Sequence, residues 1–149
     1  MGLSSCDSEQ KTNPLSPEDQ LESLGIPAEQ YNQQLRIEAS NGTAKVIRLL
    51  LAADAQINST DETGRTPLHY AAEAGRTRIA KILLNAGADI HIRDKYGRTP
   101  LHDAARQSNT GLIRLLLSRG ADPNVRCKEG LTPAQYAERN NNQEVIKIL

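Results

Sequence analysis

The sequence predicts an all-α repeat solenoid of four stacked units, and three observations support this fold. The segment GRTPLHYAA at residues 64–72 returns as GRTPLHDAA at residues 97–105, an offset of 33 that Gly130 and Thr132-Pro133 continue. Short apolar segments follow each of these turns at the same offset. Each segment is about two helical turns long, below the roughly 12–15 residues that an isolated helix needs in water. Each unit is therefore expected to be stable only when stacked on its neighbours.

The composition limits the classes of protein to which the chain can belong. It has 149 residues, and 18 Lys and Arg balance 18 Asp and Glu. We therefore expect no nucleic-acid partner, because no overall charge favours one. No apolar run is long enough for a membrane span. Phe and Trp are absent, so the core is expected to be aliphatic. Separately, we expect the protein to be a monomer.

The N-terminal segment, residues 1–30, differs from the rest of the chain, with six carboxylates against one lysine. Residues 1–15 are predicted to be a disordered acidic tail. Ser16-Pro17 begins a predicted capping helix within residues 16–30, and Gly25 ends it. We expect Leu21, Leu24 and Ile26 to cover the exposed end of the first unit.

Each central unit contains two predicted helices and an extended connection. Thr66 is a helix N-cap before Pro67, which fits the first helical turn, and Gly75 ends that helix. The small pair Ala71-Ala72 lets neighbouring helices approach closely. A second helix is predicted from Thr77 with an apolar stripe, and residues 88–98 form an extended turn to the next unit.

The repeat domain is predicted over residues 31–149, with units at 31–63, 64–96, 97–129 and 130–149. The outer two units are degenerate. Gln33-Gln34 stands where Thr-Pro is expected, and Gln135 replaces the histidine. Polar replacements of this kind are typical of capping repeats, whose outer face meets water.

The 33-residue period and the pattern T-P-L-H-x-A at residues 66–71 and 99–104 resemble the ankyrin repeat family. The resemblance covers about residues 31–149. It implies helix-turn-helix units with β-hairpin-like finger loops, and a concave groove lined by the first helices and the finger tips. It also implies that the histidine of the motif bonds to its threonine and to nearby backbone, and that the chain binds another protein.

His69 and His102 allow two interpretations. A histidine beside a threonine can belong to a catalytic or metal site, but the same pair at equivalent positions of a stacked array favours a structural role. His91 lacks a partner at metal-ligand spacing and is expected at the surface. No phosphate-binding loop or nucleophile elbow is present in the sequence. We therefore expect no enzyme activity, no catalytic or metal site and no cofactor.

Positions that differ between units are free for recognition, and they fall on the finger tips and the first helices. The predicted partner-binding residues are Glu62, Arg65, Tyr70, Glu73, Lys95, Tyr96, Arg98, Asp103, Arg106, Gln107, Lys128, Leu131, Tyr136 and Arg139. Tyr and Arg are enriched in interface hot spots. The alternative is that Tyr96 and Tyr136 only cover gaps between the finger loops.

Basic residues recur in two rows. Arg48, Lys81, Arg114 and Lys147 recur at the offset of the repeat and are expected to form a solvated ridge on the second helices. Other basic residues cluster along the finger loops, where they suit a partner with an acidic surface patch. They are Arg65, Arg93, Lys95, Arg98, Arg126 and Lys128.

The sequence therefore predicts a non-catalytic protein-binding module. A narrower hypothesis is an inhibitor or immunity protein that blocks a partner enzyme with the Tyr96–Arg98 finger. A small-molecule or nucleic-acid binder predicts a closed pocket or a continuous positive groove, and a structural spacer predicts no effect from finger substitutions.

The compartment depends on the first residues. Leu3–Cys6 has the shape of the end of a bacterial lipoprotein signal, without the charged and apolar regions that precede it. We expect a cytoplasmic protein, with an exported periplasmic lipoprotein anchored at Cys6 as the alternative. Myristoylation at Gly2 fits less well, because Cys6 stands where Ser or Thr is required.

Overall fold

A computed structural model of the chain describes residues 14–149. The acidic tail predicted over residues 1–15, apart from Pro14 and Leu15, lies outside the described residues, and so does Leu3–Cys6. Residues 14–149 contain nine α-helices and no β-strand. The helices are α1 Pro17–Ser23, α2 Tyr31–Asn41, α3 Ala44–Ala52, α4 Pro67–Glu73, α5 Thr77–Asn85, α6 Pro100–Arg106, α7 Thr110–Ser118, α8 Pro133–Arg139 and α9 Gln143–Ile148.

The helices form four antiparallel pairs, α2 with α3, α4 with α5, α6 with α7 and α8 with α9. The first helix of each pair packs on the first helix of the next pair, so that α2, α4, α6 and α8 make one inner layer. The second helices, α3, α5, α7 and α9, lie on the opposite side. This arrangement confirms the predicted all-α repeat solenoid. The loops that join the pairs, residues 53–66, 86–99 and 119–132, are the finger loops.

The core between the two layers is aliphatic, as the composition predicts. Leu50, Leu83 and Leu116 of the second helices are fully buried. Ala71 and Ala72 of α4 are also fully buried, so the inner helices pack with little side chain between them. Short helices of this kind derive most of their stability from such contacts rather than from their own propensity.

Glycine recurs in the finger loops because neighbouring loops approach closely. Gly64 has a positive φ of 75°, and a Cβ atom there would lie 3.2 Å from the backbone nitrogen of Lys95. Gly97 has a φ of 74°, and its Cβ would lie 3.0 Å from the nitrogen of Lys128. The same nitrogens donate hydrogen bonds to the preceding loop, from Lys95 to Thr63 O at 2.8 Å and from Lys128 to Tyr96 O at 2.9 Å. The finger loops are thus turns joined by backbone hydrogen bonds.

The N-terminal helix α1 packs on α3, at the end of the first unit. Leu21 is fully buried and Ile26 packs against the core, but Leu24 is 57% exposed. The prediction that Leu24 covers the first unit is therefore wrong. The helix ends in a Schellman turn at Gly25, in which the N–H of Ile26 donates to Leu21 O at 2.9 Å. This turn places Ile26, rather than Leu24, beside Leu21.

Candidate functional site

The inner helices and the finger loops enclose a groove of about 770 Å³ at the N-terminal half of the stack. We call it the inner groove. The first helix α2 contributes Gln33, Arg36, Ile37, Ser40 and Asn41 to it. The first finger loop contributes Thr60, Asp61, Glu62 and Thr63, and α4 contributes Tyr70. The groove therefore combines an aliphatic side chain and a phenol with polar groups.

Carboxylates at the base of the first two finger loops fix the shape of the tips. Asp61 Oδ1 accepts hydrogen bonds from the backbone N–H of Thr63 at 2.8 Å and of Arg65 at 3.0 Å. Asp94 Oδ1 accepts from Tyr96 at 2.9 Å and from Arg98 at 3.0 Å. The side chains at these tips are therefore carried on ordered turns.

Asp61 also accepts a hydrogen bond from the hydroxyl of Tyr70. Burial alone would raise the pKa of Asp61, but the hydrogen bonds from Tyr70 and Thr63 lower it well below its usual range. The carboxylate therefore stays ionised, and it holds the Tyr70 ring against the wall of the inner groove.

His69 and His102 tie each inner helix to the next finger loop. His69 Nδ1 accepts from the N–H of Thr66 at 3.2 Å, and its Nε2 donates to Arg98 O at 3.0 Å. His102 repeats this arrangement with the N–H of Thr99 at 3.1 Å and with Leu131 O at 3.0 Å. Burial lowers the pKa of both imidazoles, which suits neutral rings that accept at Nδ1. This is the structural role that the ankyrin resemblance implies.

Four charged residues form a ladder that joins the end of the first finger loop, α4 and α6. Arg65 Nη1 lies 2.7 Å from Glu73 Oε2, and Arg106 Nη2 lies 2.5 Å from Glu73 Oε1. Arg65 Nη2 also lies 3.5 Å from Asp103 Oδ2. We call Arg65, Glu73, Asp103 and Arg106 the charged ladder. Because these charges pair with one another, they link two helix pairs, although the buried Nε atoms of Arg65 and Arg106 have no hydrogen-bond partner among the described residues.

Asp103 is 1% exposed. Burial raises its pKa to about 6, although the guanidinium groups of Arg65 and Arg98 act in the opposite direction. A buried carboxyl group with a raised pKa can indicate a catalytic acid or base. Asp103, however, does not line the inner groove, and its carboxyl group contacts Arg65, so its surroundings are those of a structural contact between two helix pairs.

Tyr96 projects from the tip of the second finger loop with 49% of its surface exposed. Two cations lie over its ring, the Arg98 guanidinium at 4.7 Å and the Lys95 ammonium at 5.0 Å from the ring centre. Arg98 Nε is itself held by Asp94 Oδ2 at 3.1 Å. The exposed ring is therefore oriented before any partner arrives.

Tyr136 differs from Tyr96 although both were predicted to contact a partner. It is 8% exposed, and its ring packs edge-on against His102 with 5.5 Å between the ring centres. Its hydroxyl lies 3.6 Å from Cys127 Sγ. Burial, and then this cysteine, raises the pKa of the Tyr136 hydroxyl to about 12. Tyr136 fills a gap beside the third finger loop, whereas Tyr96 extends into solvent.

The predicted partner-binding residues therefore fall into three groups. The exposed residues are Glu62, Lys95, Tyr96, Gln107, Lys128 and Arg139. The half-buried residues are Arg65, Tyr70, Glu73, Arg98, Arg106 and Leu131. The buried residues are Asp103 and Tyr136. In the unbound chain, direct contact with a partner is open to the first group and in part to the second, while Asp103 and Tyr136 position their neighbours.

The residues of α2 that line the inner groove are absent from the predicted partner-binding set. Ile37 is 42% exposed there, and it stands one repeat period before Tyr70. The same offset that identifies Tyr70 and Asp103 could have found it. Because the first unit lacks Thr-Pro, its sequence indicates a degenerate capping repeat, yet α2 is a full helix of 11 residues.

The basic row on the second helices is exposed, as predicted. Arg48, Lys81, Arg114 and Lys147 all lie on the solvent side of α3, α5, α7 and α9. Because these residues lie on the second helices and not on the finger tips, they are suitable sites for control substitutions.

Stacked helix pairs joined by ordered finger loops, with a groove on the inner face, define a helical-repeat protein. A family model described as ankyrin repeats in three copies matches residues 35–127 and also residues 87–149. The chain belongs to the ankyrin repeat family. Members of this family are generally protein-protein interaction modules and are typically non-catalytic. A search of curated proteins finds no match. Among residues 14–149, each helix is too short or too polar to cross a bilayer.

Proposed function

We propose that this chain is a non-catalytic module that binds a partner protein through the inner groove and the finger tips. The observation that carries the proposal is Tyr96, whose ring is 49% exposed and contacts the cationic groups of Lys95 and Arg98. A half-exposed tyrosine makes no large contribution to the core. It suits the centre of an interface, where an aromatic ring buries a large area and its hydroxyl can still bond.

The rigidity of the finger loops supports the same proposal. The Asp94 turn and the hydrogen bond from Lys128 N–H to Tyr96 O fix the backbone around Tyr96. A preformed surface loses little conformational entropy on docking, so more of the contact energy appears as affinity.

The charge along the finger tips indicates the kind of partner. Asp61 and Glu62 lie at the first finger loop, whereas Lys95 and Lys128 are exposed at the second and third. We propose that the partner places an acidic patch against the second and third loops and an apolar side chain against Ile37 and Tyr70. Inhibition of an enzyme by the Tyr96–Arg98 finger is the narrower form of this proposal.

A site-specific photo-crosslinker tests the location of the interface. Introduced at Tyr96 in cells that express the chain, it is expected to capture one protein, which mass spectrometry identifies. The control places the crosslinker at Lys81, which is exposed on α5. The same protein captured equally from both positions would contradict the proposed surface, and capture from Lys81 alone would move it to the second helices.

The affinity of the identified partner provides a second test. Tyr96→Ala is expected to weaken binding about tenfold or more, the effect of an interface hot spot. Lys81→Ala is the matched exposed control and should leave the affinity unchanged. Circular dichroism of both variants checks that the fold is kept, and unchanged affinity in folded Tyr96→Ala would exclude the second finger loop as the anchor.

A further inference from the structure

A second groove lies at the N-terminal end of the stack and shares no lining residue with the inner groove. It has a volume of about 810 Å³ and is bounded by α1, the start of α2 and the loop that follows α3. We call it the cap groove. Its apolar surface includes Ile26, Tyr31 and Ala53, and its carboxylates are Glu18, Glu22 and Asp54.

The cap groove carries only negative charge. Its lining contains no lysine or arginine, and among the described residues none of its three carboxylates makes an ion pair. The negative charge also affects Tyr31. Burial, and then the charges of Glu18 and Glu22, raise the pKa of its hydroxyl. The finger tips with Lys95 and Lys128 carry the opposite sign.

The chemistry of the groove matches a long cationic side chain. Lysine and arginine bury their methylene stems on apolar surface while the charged end remains at a polar rim. Here the stem can lie along Ile26 and the Tyr31 ring, and the charge can reach the carboxylates. A purely apolar side chain would leave these carboxylates without a partner, and an acidic one would be repelled.

We propose that the cap groove docks a segment of a partner protein that presents lysine or arginine beside an aliphatic residue. This surface is separate from the inner groove and does not depend on the function proposed above. A chain with both surfaces can hold an acidic patch at the finger tips and a basic segment at the N-terminal cap.

The test uses a short peptide that repeats Lys-Ala-Leu, and a matched peptide in which glutamate replaces lysine. Each is titrated into the full-length ¹⁵N-labelled protein at low salt. The lysine peptide is expected to shift the amide signals of Tyr31, Ala53 and Asp54 in a saturable way, and the glutamate peptide is expected to leave them in place. Equal shifts with both peptides, or no shift with either, would overturn the proposal.

A variant that keeps the shape of the groove removes its charge. Glu18→Gln, Glu22→Gln and Asp54→Asn together are expected to lower the affinity for the lysine peptide about tenfold, because each rim carboxylate contributes modestly to binding. Asparagine is suitable at residue 54 because it tolerates the positive φ of 63° found there.

The control variant, Glu138→Gln, Glu144→Gln and Asp122→Asn, changes the net charge by the same amount at exposed sites outside both grooves. It should bind the peptide as the original protein does. If both triple variants lose affinity equally, the attraction is a property of net charge and the site is refuted.

Two further measurements examine other occupants of the cap groove. If removal of residues 1–13 moves the signals of Tyr31 and Asp54 without peptide, the chain's own N-terminal segment occupies the groove. If these signals move with protein concentration, a second copy of the chain occupies it. Either result would overturn the proposal of a basic partner segment, and unchanged signals in both measurements would support it.

Discussion

His69 and His102 show how one side chain can serve both local and long-range structure. Each ring completes the N-terminal cap of its own inner helix and donates to a carbonyl of the next finger loop. In the last helix pair Gln135 takes the capping role, since Thr132 N–H donates to its Oε1 at 2.8 Å. The cap can thus be separated from the connection to the next loop.

Substitution of His102 tests the two roles. His102→Ala is expected to lower the free energy of unfolding by about 2–4 kcal/mol, because two buried hydrogen bonds and their packing are lost. His102→Gln is expected to lose about half as much, because glutamine can keep the cap. Urea denaturation gives these values, with the exposed His91→Ala as control. Equal losses for alanine and glutamine would show that the cap contributes nothing measurable.

Asp103 gives the stability a specific dependence on pH. Its pKa in the folded chain is about 6, above the value of 3.8 for a free side chain. The folded state therefore binds more protons than the unfolded state between these values, and the contribution of Asp103 to stability falls as the pH rises from 4 to 7. The size of this fall is on the order of 2–3 kcal/mol.

The comparison of wild type with Asp103→Asn isolates this effect. The buried His69 and His102 have lowered pKa values, so their contribution is lost as the pH falls and opposes that of Asp103. The difference in the free energy of unfolding between variant and wild type cancels this common background. As the pH rises from 4 to 7, the free energy of unfolding of Asp103→Asn is expected to increase relative to that of wild type. A constant difference would show that the pKa of Asp103 is not raised by folding.

At the scale of elements, α1 and the Schellman turn form a cap on the first helix pair. Leu21 is fully buried against α3, and the turn at Gly25 returns Ile26 to the same apolar surface. An end pair in a stacked array has one face without a neighbour, and α1 covers part of that face.

The cap is tested by two leucines in one short segment. Leu21→Ala is expected to lower the free energy of unfolding by about 2–4 kcal/mol through the cavity it leaves. Leu24→Ala is expected to change it by less than about 0.5 kcal/mol, because this side chain is 57% exposed. Removal of residues 1–26 should lower the melting temperature. A neutral Leu21→Ala would mean that α1 does not dock on α3.

At the scale of the whole molecule, stability is built from contacts between neighbouring pairs. The second helices α5 and α7 each bury three side chains, whereas α9 buries one. In α9 Val145 is the fully buried residue. Local opening is therefore expected to begin at this end of the stack.

Native-state hydrogen exchange measures this gradient. The amides of α8 and α9 are expected to exchange faster than those of α4 to α7, because fewer contacts must break to expose them. As urea is increased, the exchange rates of the two groups of amides should become equal only near global unfolding. Exchange at one common rate throughout the helices would show instead that the stack unfolds as a single cooperative unit.

Much of this architecture is encoded in local sequence signals. Thr66, Pro67 and Gly75 act within one helix, through capping, a fixed φ and a left-handed turn, and such effects need no distant partner. The constant period of the repeat then places equivalent helices side by side. The all-α repeat solenoid, its aliphatic core and the structural histidines were predictable for this reason.

The tertiary structure decided which side chains are accessible. Tyr96, Asp103 and Tyr136 all stand at variable positions, but contacts with Arg65, His102 and the finger loops bury the second and third and leave the first exposed. Leu24 is exposed because it lies at the end of α1, where the turn at Gly25 brings Ile26 to the core instead. Ile37 lines the inner groove together with residues of the first finger loop. Burial depends on contacts with residues distant in the chain, which local spacing does not specify. The sequence therefore determined the helices and their stacking, and only the tertiary packing decided which variable side chains are exposed.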